Sequence, residues 1–193
     1  AGLVINCRDI TERKQAAESI KESERRLATL IANLPGYVYR VVNDGEYSPA
    51  FISESVMQIT GYTQREYLVD RTISCGAEIH PEDREGVRRI VQAAVAAHEP
   101  YECEYRLYSK SGELKWVWER GRGTFTPTGE LLFLEGFVTD ITERIRVIEA
   151  LRQSEERYRK LADQLAELNA TLAQRVEEKT RERDRIWNVS QDL

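Results

Sequence analysis

Phe137-Val138-Thr139-Asp140-Ile141-Thr142-Glu143-Arg144 is the stretch where a strand-type apolar run passes into a helix with no glycine, proline or serine-rich joint. Upstream, residues 131–141 carry apolar groups on both faces, through Leu132, Phe133, Leu134, Phe137 and Val138. An antiparallel sheet ordinarily shows water one polar face. A cover is therefore expected on the outer face, from connecting helices or a second subunit. Downstream, Asp140 stands where a helix N-cap belongs, with Glu143 three positions on as its box partner; Thr142 is the alternative cap. With so short a joint, a shift in the sheet has to reach the helix as tilt, rotation or register.

The pentad Asp9-Ile10-Thr11-Glu12-Arg13 returns as Asp140-Ile141-Thr142-Glu143-Arg144, and the same offset pairs Glu18 with Glu149, Ser23-Glu24 with Ser154-Glu155, and Leu34 with Leu165. Internal repetition marks modular construction. Residues 1–11 are expected to be the tail of a preceding unit, 12–34 a connecting helix, 35–142 one complete unit, 143–187 a second connecting helix, and 188–193 the lead-in to a further domain. In the first helix Ala17, Ile20, Leu27, Ile31 and Leu34 follow 3-4 spacing, with Glu24 the polar intruder. In the second, Val147, Leu151, Ser154, Tyr158, Leu161, Leu165, Leu168 and Leu172 alternate gaps of four and three, the average of about 3.5 that a two-stranded seam requires. Val176 adds a second consecutive gap of four, a stutter that relaxes the supercoil, and beyond it Lys179, Thr180 and Arg183 make the seam polar. A helix from 143 to 187 would be on the order of 65–70 Å long, too long for a domain of this size to cover. The stripe predicts a parallel coiled-coil homodimer.

Between the helices, Leu34-Pro35-Gly36 stops the first, Tyr37–Val42 reads as a strand closed by Asn43-Asp44-Gly45, and Phe51-Ile52 as a second. Ser53 and Ser55 are candidate caps for a short helix that breaks at Thr60-Gly61-Tyr62. Thr63 and Glu66 form a capping box for the next. Pro81, followed by acids, opens the longest core helix; it is expected to bury Val87, Ile90, Val91, Ala94 and Val95 and to end before Pro100. Tyr101, Cys103, Tyr105 and Leu107 alternate with polar neighbours in the period of a half-buried strand. Turns at Ser109–Gly112 and Pro127–Gly129 then join strands at 114–123 and 131–141.

Of the 193 residues, 35–142 hold 11 Lys/Arg against 17 Asp/Glu, and 143–193 hold 11 of each. A mildly acidic core with no basic stripe argues against nucleic-acid binding. No apolar run approaches the ~20 residues of a bilayer span, and residues 1–5 lack the signature of a signal peptide. Cys7, Cys75 and Cys103 are three, with no CxxC spacing; reduced thiols of a cytoplasmic protein, and no metal site, are expected.

Two strands, several short helices, a longer helix and three strands resemble, in that order, the PAS domain. Ile59-Thr60-Gly61-Tyr62 is similar to that family's "xxTGY" break and Ile79-His80-Pro81-Glu82-Asp83-Arg84 to its "hHPeDr" motif. Tyr105-Arg106, Gly112 before Trp116, and Asp140-Ile141-Thr142 resemble its PAC half. The likeness covers residues 35–142, and residues 1–11 resemble the end of a preceding PAS unit. It implies an α+β fold: a five-stranded antiparallel sheet in order 2-1-5-4-3, with helices on one face and coiled-coil helices at both ends. It also implies that Asp140, Ile141 and Thr142, with Asp9 and Thr11 in the preceding copy, couple core to output helix, as in bacterial sensor histidine kinases of two-component systems.

No catalytic residue is expected. The two histidines, His80 and His98, both fall inside the core, and no Gly-rich phosphate loop is present. Flavin photochemistry is disfavoured: the family's light-sensing branch uses a Cys where this chain aligns Thr72, not Cys75, and Asn6-Cys7-Arg8 mimics the photoactive tripeptide in the wrong place. Haem is disfavoured because neither histidine is placed as an axial ligand; no cofactor is required. The expected cavity wall is Ile52, Val56, Ile59, Leu68, Ile73, Val87, Ile90, Val91, Tyr105, Leu107 and Phe137, which suits either a small-molecule sensor or an empty relay core. The sequence thus reads as a signal-relay module of a multidomain sensor, joined to neighbouring PAS and effector domains. The alternatives are a ligand-free dimerisation spacer or the sensor segment of a cyclic-dinucleotide enzyme.

Overall fold

The computed structural model describes the backbone of residues 2–191 and the side chains of residues 13–183. Residues 1–143 form one compact unit and 144–193 another. In the first, α1 (Gly2–Ala32) precedes β1 (Tyr37–Val41) and β2 (Pro49–Ile52). Then come α2 (Val56–Thr60), α3 (Gln64–Leu68), α4 (Cys75–Glu78) and α5 (Arg84–Ala97), followed by β3 (Tyr101–Tyr108), β4 (Leu114–Phe125) and β5 (Leu131–Asp140). The strands form one antiparallel sheet in the order β2-β1-β5-β4-β3, the order the resemblance implies. α3 packs on β2, and α5 on β3 and β4. The long helix α6 (Thr142–Gln191) begins two residues after β5 ends.

Local chemistry sets the boundaries. Thr63 and Glu66 exchange both bonds of a capping box at the start of α3: the Thr63 N–H donates to Glu66 Oε2 (2.9 Å) and the Glu66 N–H to Thr63 Oγ1 (3.3 Å). Gly61 ends α2 in the left-handed region at φ 77°, where a Cβ would be strained, and its N–H closes on the Met57 carbonyl at 3.0 Å. β3 alternates buried and solvent-facing side chains along its length, the period-two pattern of a sheet with one dry face.

Several expectations need correction. α1 starts before the expected boundary at residue 12: residues 2–11 are helical, with no strand of the described sheet beside them to satisfy an extended backbone. The side chains of Cys7, Asp9 and Thr11, and those of residues 188–193, lie outside the described residues. Neither Ser53 nor Ser55 caps α2; Ser53 Oγ accepts from the Val38 N–H (3.1 Å) and meets Ser55 Oγ (2.8 Å), tying β1 to the chain beyond β2. α5 starts at Arg84, after Pro81, with Asp83 at its N-cap position but making no side-chain cap bond. Asp83 instead accepts from the Arg106 backbone N–H and Nε, both at 2.9 Å, and from Nη2 at 2.6 Å, so that motif fastens α5 to β3. Val87 and Val91 are buried on α5, whereas Ile90 lies on the flank of that i, i+4 stripe and is exposed.

Leu134 and Leu132 lie two apart on β5 and face different environments: Leu134 is buried at 1% exposure and Leu132 is 49% exposed. Leu134→Ala is expected to lower unfolding free energy by about 2–5 kcal/mol and Leu132→Ala by no more than about 0.5 kcal/mol. Urea midpoints check this; equal losses would contradict the packing of β5.

Candidate functional site

Sheet register brings four residues into one row. Tyr39 of β1 lies opposite Gly136 of β5, Gly136 opposite Gly121 of β4, and Gly121 opposite Tyr101 of β3. The two central positions must be glycine for reasons of space. A Cβ on Gly136 would stand 2.5 Å from Tyr39 Oη, and one on Gly121 would stand 2.5 Å from Tyr101 Cζ. Each tyrosine lies over the glycine beside it, and the two hydroxyls meet at 2.7 Å in the middle of the sheet. Glycine inside a strand often marks such a close approach.

That row places oxygens on Glu119, which is only 7% exposed and projects from the same face of β4. The Tyr39 hydroxyl donates to Glu119 Oε1 and the Tyr105 hydroxyl to Oε2 at 2.6 Å. A tyrosine hydroxyl has one proton, and Tyr39 has committed its own to Glu119, so Tyr101 is the donor in the Tyr39–Tyr101 bond. No lysine, arginine or histidine forms an ion pair with Glu119 among the described residues. Burial pushes the Glu119 carboxyl up, against the opposing pull of the hydroxyls of Tyr105, Tyr39 and Tyr101. Burial, with the Glu119 charge, also drives the hydroxyls of Tyr39, Tyr101 and Tyr105 up, so they stay neutral.

Glu119 and these tyrosines line a cavity of about 30 Å³, above the roughly 10–15 Å³ that a single water-sized guest requires. β1 and β5 add Tyr37, Val41, Leu134 and Val138 to its wall; Cys75, Ile79, Val87 and Val91 close it from the helices, and Tyr47 from the β1–β2 loop.

A second buried carboxyl, Glu78 at 4% exposure, lies nearby on α4. Tyr67 Oη touches both Glu78 Oε1 and Thr60 Oγ1, the latter at 3.1 Å. Thr60 spends its own proton on the Val56 carbonyl at 3.1 Å. A protonated Glu78 that donates to Tyr67 Oη lets Tyr67 donate to Thr60, and every hydroxyl proton in the chain then has an acceptor. Consistent with that, burial pushes the Glu78 carboxyl up to about 8. Thr60 of the xxTGY motif is thus the anchor of a buried proton chain.

Of the expected cavity wall, Val87, Val91 and Tyr105 line the observed cavity. Ile52, Val56, Ile59 and Leu107 are core residues outside that wall, with Leu68 and Ile73 packed against the core. Ile90 is exposed. Phe137 lies on the outer face, because it alternates with the buried Val138. Neither histidine lines the cavity: His98 stacks on Phe125 (4.1 Å between ring centroids), and His80 Nδ1 accepts from the Glu82 N–H at 3.3 Å. At the sheet exit, Asp140 Oδ1 accepts from the Thr142 N–H at 2.8 Å and Lys115 Nζ stands 3.4 Å from Oδ2. The Ile141 N–H donates to the Trp116 carbonyl at 2.9 Å, and Thr142 Oγ1 accepts from the Trp116 N–H at 3.0 Å. Thr142 therefore extends the β4–β5 pairing. The seam side chains Ile20, Leu27, Leu34, Val147, Leu151, Tyr158, Leu161, Leu165, Leu168, Leu172 and Val176 are exposed, as is Ala17, while Ile31 is half-buried.

Glu119 and its hydroxyls escaped the sequence reading. The signal was present: Val117, Glu119, Gly121 and Gly123 share one phase of β4, a lone acid among residues otherwise small or apolar. Trp116 and Trp118, on the opposite phase, obscured which face was inner.

The sequence profile of the PAS fold family matches residues 49–138. The uncharacterized protein y4lL of Sinorhizobium fredii is 30% identical over 136 residues, covering 70% of this chain and 16% of that protein. A blue-light-activated histidine kinase of Brucella ovis is 32% identical over 114 residues, covering 56% of this chain and 22% of that one. The crystal structure of a sensory box histidine kinase/response regulator from Burkholderia thailandensis aligns with TM-score 0.57 at 27% identity, covering 70% of this chain and 98% of that chain. The chain thus spans less than a quarter of the length of these curated relatives. The cavity of about 30 Å³ is smaller than the roughly 300 Å³ at which pockets for larger organic ligands begin. Thr72 lines a surface groove instead, and burial and the Glu78 charge push the Cys75 thiol up, away from the reactive thiolate.

Gly121→Ala is expected to cost about 1–3 kcal/mol by overpacking, but under about 1 kcal/mol in a Tyr101→Leu background, where the clashing atoms are gone. Additive losses in a denaturation double-mutant cycle would contradict the row. For pH, burial raises the Glu78 carboxyl, so the folded chain holds that proton where the unfolded chain has released it. Stability is therefore expected to fall as pH rises from 4.5 towards the Glu78 value of about 8. Glu78→Gln should flatten that slope in urea melts across the window; a stability that climbs through it would contradict the Glu78 assignment.

Proposed function

The five-stranded core belongs to the PAS fold family, and on that footing we propose that this chain is a non-catalytic sensory module that relays changes in its core to a dimeric output helix. The observation that carries this reading is the joint at Trp116. β4 holds Glu119 in the core and, three residues earlier, grips the first residues of α6 through Ile141 and Thr142. A strand that lengthens, slides or twists at Glu119 moves the anchor of the helix with it. The exposed seam, with Leu161 and Leu165 both about half exposed, supports a parallel pairing of α6 with its copy. At that spacing the leucines gain most by meeting the same residues of a second chain. The histidine kinases among the relatives support a kinase as the effector in the whole protein.

Disulfide trapping tests this. In a parallel dimer each seam residue faces its own copy, so Leu165→Cys is expected to give linked dimers on mild oxidation and Asp163→Cys, on the opposite side of the helix, none. Tyr105→Phe in the core should change the rate of Leu165→Cys linking, and adding Asp140→Ala should erase that change while circular dichroism stays native. Linking that ignores the core substitution would reduce the domain to a spacer. Absence of linked dimers would remove the seam.

A further inference from the structure

Tyr47 carries two costs at once. Its backbone is in the left-handed region at φ 54°, where a bulky residue is a genuine outlier. Its hydroxyl is buried with no hydrogen-bond partner among the described residues, and Tyr47 forms part of the cavity wall together with Glu119. The loop is held there from both sides. Asp44 Oδ1 accepts from the N–H groups of Glu46 (3.1 Å) and Ser48 (3.2 Å), and the Gly76 N–H donates to the Glu46 carbonyl at 2.9 Å. An aromatic side chain forced into such a position, with a polar atom left unmatched, marks a place where something else supplies the partner.

Proton accounting says what kind of partner. Tyr101 donates to Tyr39, Tyr39 to Glu119, and Tyr105 to Glu119. These three hydroxyl protons are spent, and only the Tyr47 hydroxyl keeps one unmatched, so the tyrosines offer the cavity chiefly acceptor oxygens and ring faces. Among the described residues Glu119 has no ion-pair partner. A guest that donates several hydrogen bonds and carries one positive charge meets both those oxygens and the Glu119 carboxylate. Tyrosine faces add cation–π attraction.

We propose that the cavity is a site for a small ammonium-type cation, the ammonium ion itself or the most compact protonated amines, held by the Glu119 carboxylate, the hydroxyl oxygens of Tyr47 and Tyr101, and the surrounding tyrosine rings. The volume of about 30 Å³ fits a water-sized guest. When the cation enters and finds Glu119 protonated, that proton leaves to solvent and the carboxylate pairs with the guest, so charge is conserved within the cavity. Among the other titratable groups Arg88 carries the sign of the guest and is felt at Tyr47, but it is solvent-exposed, so its repulsion is screened. From β1 and β3, Tyr37, Tyr39, Tyr101, Cys103 and Tyr105 face Glu119, all pushed up by burial and neutral. Cys75 of α4 and Tyr47 are likewise pushed up; Glu78 of α4 is bonded to Tyr67, and Arg88 of α5 acts on Tyr47. Affinity should therefore rise with pH until Glu119 is fully ionised.

This deepens the sensory reading by naming the input class, and it is tested on binding alone. The purified chain is titrated with ¹⁵N-ammonium chloride against potassium chloride at equal ionic strength, and bound ammonium is read by NMR. A saturable bound signal is expected, strengthening as pH rises, absent in Glu119→Gln. Because Glu119→Gln could perturb folding, Tyr47→Phe serves as the second variant. It removes only an unpartnered hydroxyl, should keep full stability, and should weaken ammonium binding about tenfold, the loss of one charge-assisted hydrogen bond. No saturable signal in the wild type, equal displacement by potassium, or wild-type affinity in Tyr47→Phe would each overturn the site. A failed titration with core-dependent disulfide trapping intact would sink this proposal only; ammonium binding with trapping unaffected by the core would sink the relay only.

Discussion

A carboxyl buried without a counter-ion is the constraint around which this core is built. Ionised, it would be costly in so dry a place; what makes it tolerable is the set of hydroxyls aimed at it by Tyr39 and Tyr105, with Tyr101 behind Tyr39. Those hydroxyls reach it because two adjacent central strands carry glycine at one register position. Remove either glycine's empty space and the tyrosines lose their seat; remove the tyrosines and Glu119 has no donors. Register, side-chain volume and protonation are therefore one linked problem, solved on a single face of the sheet.

The same strand links this cluster to the exit. Glu119 and Trp116 are separated by about 10 Å of extended chain, and the backbone of Trp116 holds both the Ile141 N–H and the Thr142 hydroxyl. Lys115, the neighbour of Trp116, faces Asp140 across that joint. Sheet and helix are thus connected by hydrogen bonds of ordinary length through consecutive residues, with no loop to absorb displacement. Glu78 and Tyr67 give the helical side of the core a comparable buried proton chain, anchored at Thr60.

What sequence could reveal was local. The Thr63–Glu66 box, the Gly61 stop, the alternation of β3 and the strand-to-helix passage at Asp140–Thr142 each depend on residues a few positions apart, and each was legible. The cap expected at Ser53 does not form because a distant partner, Val38, claims that side chain, and the acid Asp83 of the expected first turn is likewise held by Arg106. The cavity wall was misread for the same reason. Tyr39, Gly136, Gly121 and Tyr101 are far apart in the chain and adjacent only through the register of four strands. Phe137, apolar and inviting, was assigned to the core when its phase on β5 turns it outward. A lone glutamate on the inner phase of β4 next to two glycines was the clue that composition offered, and the tryptophans beside it masked the phase.

The most direct measurement is a residue-resolved titration of Glu119 itself. With ¹³C-labelled glutamate, the carboxyl resonance that disappears in Glu119→Gln is followed against pH in ammonium-free buffer. If the carboxyl is enclosed by tyrosine hydroxyls without a counter-ion, its midpoint lies above that of an ordinary glutamate and falls when ammonium is added. A midpoint among the solvent-exposed glutamates would contradict the buried cluster and everything built on it.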